Sequence, residues 1–77
     1  MEIRELRSFQ IVVREGSFPA AAKTLHMTQP AVSSHIKTLE DEVGSKLMDR
    51  NARGIRLTAT GKVLLHAAES ILGTVED

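Results

Sequence analysis

Apolar residues recur at steps of three and four along the first half of this chain, and the breaks between the recurrences fall on turn-forming residues. Ile3, Leu6, Phe9 and Val13 sit on one helical face, with Arg4, Arg7, Gln10 and Arg14 mostly on others, which predicts a helix over 3–14 ended by Gly16. Ser17 then caps a second helix over 18–25, with Pro19 in its first turn, where a missing N–H costs nothing. Ala20, Ala21 and Ala22 favour the helix by propensity and also leave room for a close helix crossing. His26 falls at a tight reversal that needs a left-handed residue, for which His is a tolerated choice. Thr28 caps a third helix over 29–43, Met27 is placed to pack on Val32 as a hydrophobic staple, and Pro30 lies in the first turn.

The third helix buries a stripe of Val32, Ile36, Leu39 and Val43. Its opposite side carries Pro30, Ser34, Lys37, Thr38 and Asp41, flanked by Gln29 and Ser33. The acids Glu40, Asp41 and Glu42 gather at its C-terminal end, where they oppose the helix dipole. Such a helix suits an N-terminal half that approaches phosphates. A plain solvated face, with Lys37 paired to Asp41 at i,i+4, fits the same residues. Two short helices joined tightly, the second opening with small polar residues, form a helix-turn-helix, whose second helix enters the DNA major groove.

Beyond Gly44 the pattern shortens. Leu47-Met48 and Ile55–Leu57 flank a segment rich in Asn, Arg and Gly, which predicts a β-hairpin within 47–57, with Arg50, Arg53 and Arg56 at or beside its tip. A hairpin in this position is the wing of a winged helix, and basic wing tips reach the DNA backbone or minor groove. Arg50 has a second reading, as a partner of an acid within the hairpin. Thr58 or Thr60 caps a last helix, along which Leu64, Ala68, Ile71 and Val75 form a stripe widened by Leu65 and Leu72. Packing against the same helix of a second copy is the expected outlet for that stripe; folding back onto the first helix is the alternative.

Seventy-seven residues make one small domain. The formal net charge is zero, yet residues 23–62 hold seven Lys/Arg against four Asp/Glu, and 63–77 hold three acids and no base. A local basic patch matters more than the total. The chain has no cysteine, so disulfides and thiolate zinc sites are excluded, and His26, His35 and His66 lack metal-ligand spacing. No apolar run approaches the ~20 residues of a membrane span, and the N-terminus is not a signal peptide, so a soluble, cytoplasmic protein without cofactors is expected. No nucleophile–base arrangement, paired carboxylates or phosphate loop argues for an enzyme.

Ala21-Ala22, Leu25-His26, Gln29-Pro30-Ala31, Ser33, Ile36, Leu39-Glu40, Leu47, Arg50, Gly54, Leu57-Thr58 and Gly61, taken together, resemble the N-terminal DNA-binding domain of the LysR-type transcriptional regulators across essentially the whole chain. The resemblance implies a mainly α winged helix-turn-helix, three helices plus a β-hairpin wing over 1–57, followed by a truncated linker helix for dimerisation over 58–77. It implies DNA contacts from Thr28, Gln29, Pro30 and Ser33 and from Arg50 and Arg53. Ser17, Ser34 and Lys37 complete the expected DNA-facing set. Where the family usually has Arg or another long polar residue and then Gln, this chain has Ser34 and His35. The expected partners are double-stranded DNA, as two half-sites, and a second copy through Leu64, Leu65, Ala68, Ile71, Leu72 and Val75. A small-molecule effector would bind a C-terminal domain that is absent here. A winged helix used for protein contact is the alternative, and Gln29, Ser33, Lys37 and the wing arginines oppose it.

Overall fold

Residues 1–51 and 54–74 are described in the computed structural model of this chain. The element order is α1 (Ile3–Glu15), α2 (Phe18–Leu25), α3 (Gln29–Val43), β1 (Met48–Asn51), β2 (Gly54–Leu57) and α4 (Ala59–Leu72). The two strands form an antiparallel hairpin that pairs Met48 with Leu57 and Arg50 with Ile55. Arg53 and Val75 lie outside the described residues.

Caps set the helix starts. The Glu2 amide donates to Glu5 Oε1 at 3.1 Å at the head of α1. Ser17 Oγ accepts from the Ala20 amide at 3.1 Å, and Thr28 Oγ1 from the Ala31 amide at 3.2 Å. Between the two sequence candidates for the α4 cap, Thr58 is the one used. Its Oγ1 accepts from the Gly61 amide at 3.0 Å and donates to the Lys46 carbonyl at 2.7 Å, tying helix to wing. Gly61 also permits a close approach. A Cβ there would stand 1.9 Å from the Leu47 carbonyl oxygen, so only glycine lets the first turn of α4 cross the chain leading into β1.

The core centres on α1. Leu6, Phe9, Ile11 and Val12 are buried among Ala21 and Ala22 of α2, Val32, Ile36 and Leu39 of α3, Leu47 and Met48, and Ala68 of α4. The α1 stripe differs from the expected one: Ile3 is 56% exposed and Val13 half-buried, while Ile11 and Val12 are buried. Three helices pack around α1, so it buries a wider arc than a single stripe, including Ser8 and Gln10. Val43 is exposed rather than buried. It has run past the start of α1, where Glu42 meets the Met1 ammonium at 2.7 Å.

The α4 stripe needs the larger correction. Ala68 is fully buried in the domain's own core, and Leu64, Leu65 and Leu72 pack half-buried against that core. They are therefore not a free surface. α4 docks on α1, and the buried Gln10 side chain donates from Nε2 to the Gly73 carbonyl at 2.9 Å, clasping the end of the helix. Residues up to 57 and those of α4 thus share one core. Val63, at 71% exposed, and Ile71, at 60%, remain on the outside.

Candidate nucleic-acid interface

The turn between α2 and α3 is built as the sequence predicts. His26 adopts φ 56°, ψ 43°, its amide donates to the Lys23 carbonyl, and the Met27 amide donates back to the Ala22 carbonyl at 2.9 Å. The chain reverses in three residues, and Met27 folds half-buried onto the core. With Val32, Ile36 and Leu39 held inward, α3 turns Gln29, Pro30, Ser34 and Lys37 outward, and Ser33 is half-buried. Its first two turns carry no acid.

Ser17 and Thr28 are occupied as caps, yet each hydroxyl accepts through oxygen and keeps its proton to donate, so both can still reach a phosphate oxygen. Lys37 meets Asp41 Oδ1 at 2.6 Å. The hydrogen bond and charge of Asp41 raise the Lys37 ammonium above the ordinary lysine range and keep it protonated. Both side chains are solvent-exposed, so this pair is weak and an incoming phosphate can compete for the lysine.

On the wing, Arg50 makes no ion pair among the described residues. Its guanidinium carbon instead lies 3.6 Å from the centroid of the Phe18 ring, at the start of α2. This stack joins β1 to α2. Around it lie two grooves. One, of about 240 Å³, is bordered by Ser17, Phe18, Pro19, Gln29, Arg50 and Asn51. The other, of about 450 Å³, lies between α3 and β1 and is bordered by Ser33, Lys37, Glu40, Lys46, Asp49 and Arg50.

The structure therefore brings Ser17, Gln29 and Arg50 together around one groove and Ser33, Lys37 and Arg50 around the other, with Arg50 common to both. Thr28, at the cap of α3, and Pro30 and Ser34 within it border neither groove and are exposed. Sequence reasoning missed Phe18 as the platform beneath Arg50, and Lys46, which stands 4.0 Å from Glu40 Oε1 at the edge of the larger groove. No local pattern pairs residue 18 with residue 50. Lys46 was visible only as part of the basic stretch.

Among the described residues, no group of three His, Asp or Glu side chains is placed to hold a metal ion. No helix among those residues is long and apolar enough to cross a membrane.

Comparison with known proteins gives a consistent answer. Residues 3–62 match the family described as bacterial regulatory helix-turn-helix protein, lysR family. The HTH-type transcriptional regulator TfdT of Cupriavidus pinatubonensis is 45% identical over 76 residues, covering 99% of this chain and 33% of that protein. CfxR of Cupriavidus necator, another HTH-type transcriptional regulator, is 47% identical over 77 residues, covering all of this chain and 24% of that protein. The chain thus spans a quarter to a third of the length of these relatives. Among solved structures, the CbnR DNA-binding domain in complex with DNA superposes with a TM-score of 0.88 at 43% identity, over 94% of this chain and 83% of that one. The BenM DNA-binding domain on its catB site 1 DNA gives 0.88 at 40%, over 94% and 81%. On these matches, and on the four helices and two-stranded wing among its described residues, the chain belongs to the LysR family of bacterial regulatory helix-turn-helix proteins and is a DNA-binding domain of that family.

Proposed function

We propose that this domain reads double-stranded DNA with α3 in the major groove while the wing holds the sugar–phosphate backbone, within a longer transcriptional regulator acting in the bacterial cytoplasm. The observation that carries the assignment of roles is the convergence of Ser17, Gln29 and Arg50, from three separate elements, on one groove. In this reading Gln29 makes a bidentate pair with adenine, Pro30 touches a thymine methyl, and Ser33 and Ser34 bond base edges or phosphates. Ser17, Thr28, Lys37, Arg50 and Arg53 neutralise or bond phosphates. In vitro selection from a randomised duplex library tests it. A selected motif bound no more tightly than mixed-sequence DNA would leave α3 without a reading role.

Dimerisation belongs to the same proposal. One helix-turn-helix reads only a few base pairs, so useful specificity takes two half-sites about a helical turn or a multiple apart. The apolar strip left on α4 is Val63, Ala67 and Ile71, spaced i, i+4, i+8 on one face, all exposed. It adjoins Leu64 and replaces Ala68 as the centre of the contact. Two such strips facing one another across a two-fold axis make an isologous interface.

A further inference from the structure

α3 is flanked on two sides. The wing, with Lys46 and Arg50, lies on the side of Ser33 and Lys37. On the other side lies a groove of about 400 Å³ bordered by Arg4, Arg7 and Ser8 of α1, Leu25 and Met27 at the turn, and His35 of α3. We infer that this second groove takes the sugar–phosphate backbone of the DNA strand opposite the one held by the wing, with Arg4, Arg7 and His35 as its phosphate contacts. The inference rests on α3 entering the major groove, as proposed above.

A major groove about 12 Å wide is walled by two backbones, and a helix lying in it meets one on each flank. The wing supplies cations to the first. On the second flank the groove has the chemistry of the other: an apolar floor of Leu25 and Met27 for deoxyribose, and cationic arms at the rim for phosphate. Arg7 is exposed and has no ion-pair partner among the described residues. Among the described residues Arg4 forms an ion pair only with Glu2, at 3.2 Å, with both side chains well exposed, a contact readily exchanged for a phosphate. His35 is set by Ser8, whose Oγ lies 2.7 Å from Nδ1 and is almost wholly buried. A Ser8 hydroxyl donating to Nδ1 leaves the ring proton on Nε2, the nitrogen free to donate to an anion.

The test is a salt titration of binding to a mixed-sequence duplex by the unchanged chain, by Arg4→Ala/Arg7→Ala and by Arg50→Ala. Both substituted α1 arginines are exposed, so thermal unfolding of the double variant should match the parent. The expected result is a log–log salt slope shallower by about 0.9 for each phosphate no longer neutralised, with weaker binding at every salt concentration. His35→Phe, which keeps a ring and removes the Nε2 donor, should weaken binding in the same sense. If Arg4→Ala/Arg7→Ala keeps the parental slope and affinity while Arg50→Ala loses both, the second-strand assignment is overturned and the DNA reading stands. In that case the groove's charge and apolar floor fit an acidic peptide instead. If the unchanged chain does not bind duplex at all, the DNA reading itself fails.

Discussion

The Arg50 guanidinium lies over the ring of Phe18, 3.6 Å from its centroid, and so couples the wing to the first residue of α2. The ring is buried and the arginine exposed, so the stack covers one face of the cation and leaves its N–H edges open to solvent. A cation held this way is pre-oriented for a phosphate and loses little side-chain freedom on binding.

Arg50→Ala should lower the salt slope of DNA binding by about 0.9 per phosphate released and weaken specific and random duplex by similar factors. Arg50→Lys restores the charge but not the planar fork, so it should recover only part of the affinity. Chemical denaturation should show Arg50→Ala costing about 0.5–1 kcal/mol of stability, the range for an exposed cation–π contact. Unchanged binding to random duplex across the titration would remove the wing from the interface.

Gln29 stands exposed at the first position of α3, on the rim of the groove that Arg50 shares. Gln29→Ala should relax preference at one base position per half-site, by roughly 1–3 kcal/mol of discrimination, while leaving affinity for mixed DNA nearly intact. Selection with the variant checks this, and an identical motif would take Gln29 out of the reading set.

Helix bounds and the turn were legible because their causes are local. Ser17 and Thr28 cap within three residues, and His26 takes its left-handed conformation within its own turn. The three-helix core and hairpin followed from the same short-range signals. What was not legible depends on distant partners. Gln10 fell outside the apolar stripe of its helix, yet it is buried and donates to the Gly73 carbonyl from the far end of the chain. Ala68 looked like part of a free stripe and is core because α1 covers it. Periodicity reports which face of a helix is apolar, not which neighbour will claim it. The same holds at the interface: Ser33 and Lys37 could be placed on α3 from the wheel, whereas the Phe18 platform under Arg50 required the folded wing.

Gly61 offers a test of the α4 docking. A methyl group there would sit 1.9 Å from the Leu47 carbonyl oxygen, and 3.1 Å from the Leu57 side chain, in a backbone that cannot give way cheaply. Gly61→Ala should cost about 1–3 kcal/mol by overpacking, despite the better helix propensity of alanine. Denaturant midpoints at unchanged slope would measure it. A variant as stable as the parent would mean that α4 does not cross the chain before β1 this closely.

The dimer prediction turns on which α4 face is free. Ala68 is enclosed by the domain's own core, and Leu72 rests half-buried against it, so lysine at either position should unfold the domain rather than dissociate it. Val63 and Ile71 are exposed, so Val63→Lys/Ile71→Lys leaves the core untouched. Sedimentation should then show a folded monomer, with parental helical content. Binding to a duplex carrying two half-sites should lose its cooperativity, while weak binding to a single half-site persists. The magnitude follows from avidity: two linked half-sites exceed one by about 10²–10⁴ in apparent affinity, and the double variant should forfeit most of that. A dimer that survives both lysines would place the two-fold contact away from α4, since two opposed pairs of ammonium groups cannot be buried across an isologous interface without partners.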